Sequence, residues 1–147
     1  MSTSVIPAAI DGLLSILASA TGLSGVQVVD GQPTTNTAKD VVCVGYTDEG
    51  QAVSFEQAPK ALGNLRRDES FEITCMVSAW NGNTIAKTVR DRAFDLFAAC
   101  ETAIRDGATL NGSVIFAEVR SGSVSQYQTD QGAVCDVQFT VAGYARI

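Results

Sequence analysis

The sequence predicts a two-layer α+β sandwich, in which two helices pack on a mostly antiparallel β-sheet with a long C-terminal hairpin. Three observations lead to this fold class: two apolar stripes with helical spacing, a central segment of alternating apolar and polar residues, and two more alternating segments at the end of the chain. Two helical stripes and one sheet face can bury each other. The 147 residues suffice for one ordinary domain, so we expect residues 1–147 to form a single unit.

A first helix is expected near the start of the chain. Ser4 is a candidate for its cap, Pro7 suits its first turn, and Thr21 with Gly22 ends it. No basic residue precedes Lys39, so the apolar run lacks the positive segment of a signal peptide, and it is too short to span a bilayer. The stripe that should face the core comprises Ile6, Ile10, Leu13, Leu14 and Leu17.

Three short strands should follow this helix, because runs of apolar residues alternate there with polar segments. The strands are expected at residues 26–29, 41–46 and 52–57. The polar segments indicate loops or turns at residues 30–40, 48–50 and 59–68.

Residues 69–80 form the predicted central strand, since every second residue is apolar. Asn81 and Gly82 break the strand, and Asn83 or Thr84 can cap the helix that follows. The inward face of this strand comprises Phe71, Ile73, Cys75, Val77 and Ala79. The opposite face carries Met76 and Trp80 among polar groups, so we expect it to be covered in part.

The helix after the central strand is predicted to be amphipathic, with apolar residues at spacings of three and four. Lys87, Arg90 and Asp91 point away from the stripe, and Gly107 is expected to end the helix in a left-handed conformation. The buried stripe comprises Ile85, Val89, Ala93, Leu96, Phe97, Cys100 and Ile104.

The last two strands form the predicted hairpin, at residues 113–128 and 133–144 around a turn at 129–132. Residues 121–123 favour a bulge or bend in the first strand. In that strand Val114 and Phe116 should share one face, opposite Ile115, Ala117 and Val119. In the second strand the inward residues are Ala133, Cys135, Val137, Phe139 and Val141. The crossover through the central helix allows one parallel strand pair.

Composition excludes several function classes. A net charge of −6 and a pI near 4.4 argue against a surface that binds nucleic acid by sequence, which needs clustered basic residues. The chain has no His, the usual general base and metal ligand, and it contains no nucleotide-binding or hydrolase motif. Glu69 and Glu72 are close in sequence, but such pairs are usually solvated. We therefore predict no enzymatic activity, no catalytic residue, no metal site and no cofactor.

The four cysteines are predicted to be buried, reduced thiols. They lie one per element among apolar neighbours, and none of them forms the closely spaced pair that a zinc site needs. Disulfides stay open at this point, because the sequence does not show which strands adjoin. The four are Cys43, Cys75, Cys100 and Cys135.

Two segments are candidates for contacts with other chains. The first mixes both charge signs before the central strand and is either a solvated loop or a subunit contact, where arginine is favoured. The second lies at the hairpin tip and is either a simple polar hairpin or an arm that pairs with a neighbouring chain. The first segment comprises Leu65, Arg66, Arg67, Asp68 and Glu69. The second comprises Gln126, Tyr127, Gln128, Thr129 and Asp130.

Four stretches of the chain carry a family resemblance: residues 10–30, 62–80, 89–103 and 121–141, the last including the run QTDQGAVCDVQFTV. In these stretches the chain resembles the tail-terminator (tail-completion) proteins of long-tailed bacteriophages. The likeness is one of overall pattern over most of the chain, and it contains no catalytic signature.

The resemblance implies a structural role. Proteins of that family share a two-layer α+β fold and form a hexameric ring on the tail tube, which ends tube polymerisation and offers a surface to the head connector. The implied partners are further copies of the chain, the tail-tube protein and the head-completion protein, with no membrane. DNA would pass through the ring without sequence-specific binding. The implied location is the tail neck of a virion assembled in the cytoplasm of a bacterial host.

Two other interpretations stay open. The chain is alternatively a head–tail connector or a tail-tube subunit, which would have a similar sandwich. A small cytosolic ligand-binding or enzymatic domain would instead show a concave pocket with convergent polar groups.

Overall fold

The computed structural model describes residues 3–33, 40–48, 50–59, 66–82 and 84–147. These residues form the predicted two-layer α+β sandwich, with two helices on one side of a sheet. The helices are α1 (Ile6–Ala18) and α2 (Ala86–Asp106), with a short 3-10 helix at Thr21–Leu23. The strands are β1 (Gln27–Asp30), β2 (Asp40–Val44), β3 (Val53–Pro59), β4 (Arg67–Trp80), β5 (Phe116–Thr129) and β6 (Gly132–Arg146).

The described strands form one sheet in the order β1-β2-β4-β6-β5, and β3 also pairs with β4. Because β2 pairs with residues 75–79 of β4 and β3 with residues 67–73, these two strands lie end to end along one side of β4. The parallel pair is β1–β2, and the pairing of β2 with β4, β3 with β4, β4 with β6 and β5 with β6 is antiparallel. The sequence had suggested a parallel pair through α2. That helix instead leads past β6, so β4 and β5 run the same way without being neighbours.

The core lies between the helices and one face of the sheet, as the alternation in β4 and β6 predicts. The inward residues of both strands are buried, and Leu13, Leu17 and Leu96 of the helices pack against them without solvent exposure. Gly143 of β6 leaves room for the ring of Phe71, because a Cβ there would lie 2.3 Å from that ring. The core therefore depends on close approach as well as on apolar area.

The ends of α2 differ from the prediction. The helix begins at Ala86 after an extended Ile85, whose side chain is 58% exposed and lies outside the buried stripe. Among the described residues no side chain caps this end, so Thr84 lacks the predicted role, and Asn83 lies outside the described residues. Gly107 does end the helix, but its φ of −113° is not left-handed. Its small size matters instead, since a Cβ would lie 3.3 Å from the Ala103 carbonyl oxygen.

Several strands also begin or end at residues other than those predicted. β3 extends to Pro59 and β4 starts at Arg67, which shortens the predicted loop 59–68 to a connection whose residues 60–65 lie outside the described part. β5 starts at Phe116, later than expected, and its bulge lies between Val119 and Ser121. Val114 is therefore buried in the turn before β5, whereas Ile115 is 52% exposed. In the described part of the chain, no helix is long and apolar enough to cross a membrane.

Candidate interaction surfaces

The two faces of the sheet differ in what covers them. α2 and α1 pack on the face described above, and we call the opposite face the open face. Along β6 it carries the partly buried polar residues Asp136, Gln138 and Thr140, followed by the buried Ala142. In β4 it includes the exposed Glu72 and the half-buried Thr74 and Ser78, although Met76 is buried. The prediction of a partly covered second face is therefore confirmed for Met76.

The first candidate contact segment lies at one end of the sheet. Arg66 and Arg67 are exposed, and the Arg67 guanidinium donates a hydrogen bond to the Gln57 side chain at 3.1 Å. The Arg146 guanidinium pairs with the Asp68 carboxylate at 3.0 Å. We call Arg66, Arg67 and Arg146 the basic end. Leu65, the first residue predicted for this contact, lies outside the described residues.

Glu69 corrects the predicted contact set. Its side chain is fully buried, and its carboxylate accepts hydrogen bonds from the Ser4 hydroxyl at 2.8 Å, the Val5 N–H at 2.7 Å and the Gln57 amide at 2.6 Å. The Ser4 hydroxyl in turn accepts the Ile6 N–H at 3.1 Å, but the residue immediately before the helix is Val5, so Ser4 does not occupy the predicted cap position. A carboxylate is favourable at a helix N-terminus, where unpaired N–H groups carry partial positive charge. Glu69 therefore holds the start of α1 and is not available to a neighbouring chain.

The sequence contained a signal for this role. Glu69 has the same parity in the strand as Phe71 and Ile73, which face the helices, whereas Asp68 has the opposite parity. Alternation thus indicated a side chain directed at the helix layer.

The second candidate segment forms the tip of an exposed arm. Residues 120–131 of β5 and the turn are all exposed, and β5 is an edge strand of the sheet. Such an edge presents unpaired backbone groups to which another chain can bind. We call residues 120–131 the arm.

The five predicted tip residues do not share one surface. The Gln126 side chain accepts a hydrogen bond from Arg90 at 3.1 Å, and Gln128 donates to the Thr84 carbonyl at 3.0 Å, so both are held against the start of α2. Tyr127 points to the open face and is 48% exposed. The Thr129 hydroxyl stabilises the turn through the Gln131 N–H, and Asp130 lies exposed in that turn.

An acidic pocket of about 280 Å³ lies on the open face beside the arm. The Tyr127 hydroxyl donates to Asp136 Oδ2 at 3.0 Å, while Asp136 Oδ1 is shielded from solvent and has no hydrogen-bond donor among the described residues. Burial, followed by the charge of Asp136, raises the pKa of Tyr127 to about 12. The pocket is lined by Asp48, Met76, Ser123, Ser125, Tyr127, Asp136 and Gln138. None of these described lining residues is basic.

A second depression, of about 430 Å³, lies towards the basic end and is lined by aromatic rings. Phe116 and Tyr144 stack there with ring centroids 6.0 Å apart, and Phe55 and Phe116 are 55% and 42% exposed. Exposed aromatic side chains are enriched where proteins contact each other. This depression therefore favours contact with a protein surface.

The described residues offer no metal centre, since no three acidic or sulfur ligands lie close enough to hold an ion. All four cysteines are free and buried, as predicted. Burial raises the pKa of Cys75 and of Cys100 to about 12, and burial together with Asp136 and Asp48 raises that of Cys43 to about 11. Near neutral pH these thiols stay protonated, which makes them poor nucleophiles.

Comparison with known proteins found one kind of likeness. No protein-family model and no curated protein sequence matches this chain. A solved structure does match: a chain from the virion of a native gene transfer agent (GTA) particle, with 12% sequence identity and a TM-score of 0.58. The match covers 99% of this chain and 100% of that one. The two chains therefore share a fold over their whole length.

Proposed function

We propose that this protein is a structural component of a phage-type virion and acts as a tail terminator. It would form a ring, hexameric as the family resemblance implies, that caps the tail tube and offers its other side to the head connector. The observation that carries the proposal is the full-length fold likeness to a chain of a virion particle. The resemblance of the sequence to tail-terminator proteins narrows the role to the tail neck.

The surfaces described above suit such an assembly. A contact between two different patches closes into a ring when the rotation between subunits is right. A stable contact of this kind buries about 1,200–2,000 Å². The tip of the exposed arm and the aromatic depression lie towards opposite ends of the β5–β6 hairpin. The side facing the tube must match the last tube layer, whereas the other side must reject further tube subunits.

The negative net charge of the chain is consistent with a ring through which DNA passes. The chain carries a net charge of −6, and carboxylates repel phosphate groups. A ring with such a lining would let a duplex pass without holding it. The proposed role requires no chemistry from the protein, and the raised thiol pKa values fit a non-enzymatic function.

Electron microscopy of the purified protein tests the role directly. A terminator should form closed rings that bind tube ends and stop there, and adding it to polymerising tube protein should shorten the tubes. Long stacked tubes formed by this protein alone would identify a tube subunit instead. Rings that bind only head-side proteins would identify a connector. A monomer at all concentrations, with no affinity for tube ends, would overturn the proposal.

The basic end provides a mutational test. Replacing Arg66 and Arg67 with Glu should weaken ring assembly and leave the monomer folded, because both side chains are exposed. A matched control replaces Arg92 and Arg105 with Glu, which changes the charge equally on α2. Native mass spectrometry measures the ring fraction of each. Equal ring fractions would remove the basic end from the subunit contact.

A further inference from the structure

The acidic pocket places two carboxylates close together on the open face. It brings Asp48 and Asp136 together, none of the described residues that line it is basic, and Asp136 Oδ1 is shielded from solvent without a donor among the described residues. A carboxylate oxygen left in this state destabilises the chain, because buried polar groups are almost always hydrogen-bonded. A positive group that enters the pocket would remove that cost.

The basic end lies at the opposite end of the same sheet. Asp136 is paired in register with Ser78 of β4, whereas the basic end adjoins Asp68, ten residues earlier on that strand. At about 3.3 Å per residue the separation is roughly 33 Å. That distance is several times the length of an arginine side chain. An arginine of the basic end therefore reaches the acidic pocket only in another copy of the chain.

We propose that the acidic pocket of one subunit binds Arg66 or Arg67 of the next copy in the ring. This contact rests on the ring assembly proposed above and specifies which surfaces make it. It is a contact between unlike patches, as a closed ring requires. Guanidinium suits the pocket because its planar set of donors can bind a carboxylate through two hydrogen bonds at once.

Other features of the pocket match a protein side chain better than a bare ion. Among the described residues no three acidic or sulfur ligands lie close enough together to hold an ion, and the lining of this pocket has only two carboxylates. The Tyr127 hydroxyl is already committed to Asp136. Met76 and the Tyr127 ring add apolar surface against which the stem of an arginine can pack.

Neutralising the pocket tests the proposal. Asp48→Asn with Asp136→Asn keeps the size of both side chains and the acceptor for Tyr127, but removes both charges. We expect the ring-forming concentration to rise by about tenfold or more, since charge-assisted hydrogen bonds at contacts are strong. Thermal unfolding of the monomer should be unchanged or raised, because an unpaired charge is removed. The control is Asp95→Asn with Asp91→Asn, on the exposed side of α2.

Mixing two defective variants tests the head-to-tail geometry. The pocket variant keeps an intact basic end, and Arg66→Glu/Arg67→Glu keeps an intact pocket. An equimolar mixture should therefore make one good contact per pair and stop at a heterodimer, visible by native mass spectrometry. Neither variant alone should form this dimer.

The outcomes separate this contact from the proposed function. Wild-type protein that forms no ring overturns both. Wild-type rings that the pocket variant also forms at the same concentration overturn the contact alone, as does a mixture that contains no heterodimer. Rings that dissociate when a chelator is added would place a metal ion in the pocket and overturn the arginine contact.

Discussion

The two faces of the sheet differ in how deeply their side chains are buried. In β6 the residues directed to the helices, such as Val137 and Phe139, are buried, while their neighbours Asp136 and Gln138 on the open face are polar and partly exposed. One strand thus contributes buried apolar side chains to the core and partly exposed polar side chains to the open face at alternate positions. The difference teaches that the hydrophobic core of this fold uses only one face of the sheet.

The open face also carries a cost that the covered face does not. Buried polar groups in the core layer are satisfied, as Glu69 shows with three donors. On the open face Asp136 retains an oxygen that no donor among the described residues reaches. Natural proteins keep few such groups, so each one calls for an explanation. This contrast distinguishes the acidic pocket from the aromatic depression.

The largest loss of stability should come from a substitution on the face of the sheet that the helices cover. Phe139 has no solvent exposure, and its ring lies 5.1 Å from that of Phe97 on α2. Phe139→Ala should lower the free energy of unfolding by about 3–5 kcal/mol, through lost apolar burial and the cavity that remains. Thr140→Ala, one residue along on the open face, should cost less than about 1 kcal/mol. Denaturant unfolding of both variants measures the difference.

Similar losses in the two variants would contradict the division between faces. It would mean that the open face is packed as tightly as the helix layer, and that the half-buried state of Thr140 hides a structural role. Circular dichroism before unfolding ensures that each variant starts from the same secondary structure.

A smaller loss of stability should follow from the removal of a carboxylate near the start of β4. Glu69→Ala removes the acceptor of three hydrogen bonds and leaves the Val5 N–H buried, so we expect a loss of about 2–4 kcal/mol. Glu72→Ala, three residues later and exposed on the open face, should stay within about 0.5 kcal/mol of the wild type. Thermal unfolding at pH 7 distinguishes them.

Glu69→Gln sharpens the test, because the amide keeps one oxygen acceptor and the side-chain volume. It should recover part of the loss. If Glu69→Ala were as stable as the wild type, the start of α1 would not depend on the carboxylate. Hydrogen exchange at Val5 and Ile6 reports that end of the helix directly.

Periodicity made the fold predictable and the surfaces less so. The inward residues of β4 and β6 followed from alternation alone, because one buried face imposes a period of two. The start of α2 did not follow, since Thr84 is a good capping residue by type and the chain is extended through Ile85 instead. Local preference is weak against the packing that decides where a helix begins.

The candidate surfaces could not be predicted from the sequence for a different reason. Tyr127 is predicted as a tip residue, whereas its partner Asp136 lies between the inward residues Cys135 and Val137 of the next strand. Asp48 joins them from a turn far away in sequence. Proximity of this kind depends on strand register and on the path of a loop, and neither leaves a local sequence pattern.

The smallest predicted effect is a loss of stability at alkaline pH. It compares Cys43, which is close to the charges of the open face, with Cys100 in the helix layer. Cys100 is raised to a pKa of about 12 by burial alone, whereas Asp136 and Asp48 add to burial at Cys43, whose pKa is about 11. The unfolded thiols titrate near 9.0, so between pH 9 and the folded pKa the native state binds more protons than the unfolded state. The stabilisation that a buried protonated thiol contributes is therefore full below pH 9 and falls as pH rises, by about 1 kcal/mol for Cys100 from pH 9 to pH 10.

Asp136→Asn should distinguish the two thiols, because it removes a charge that acts on Cys43 and leaves Cys100 untouched. The pKa of Cys43 should fall, while that of Cys100 should not change. The thiolate absorbance of variants that retain only Cys43 or only Cys100, followed from pH 8 upward, measures both. An unchanged Cys43 would mean that the charge of the open face does not reach β2, and that the acidic pocket is more hydrated than its buried oxygen indicates.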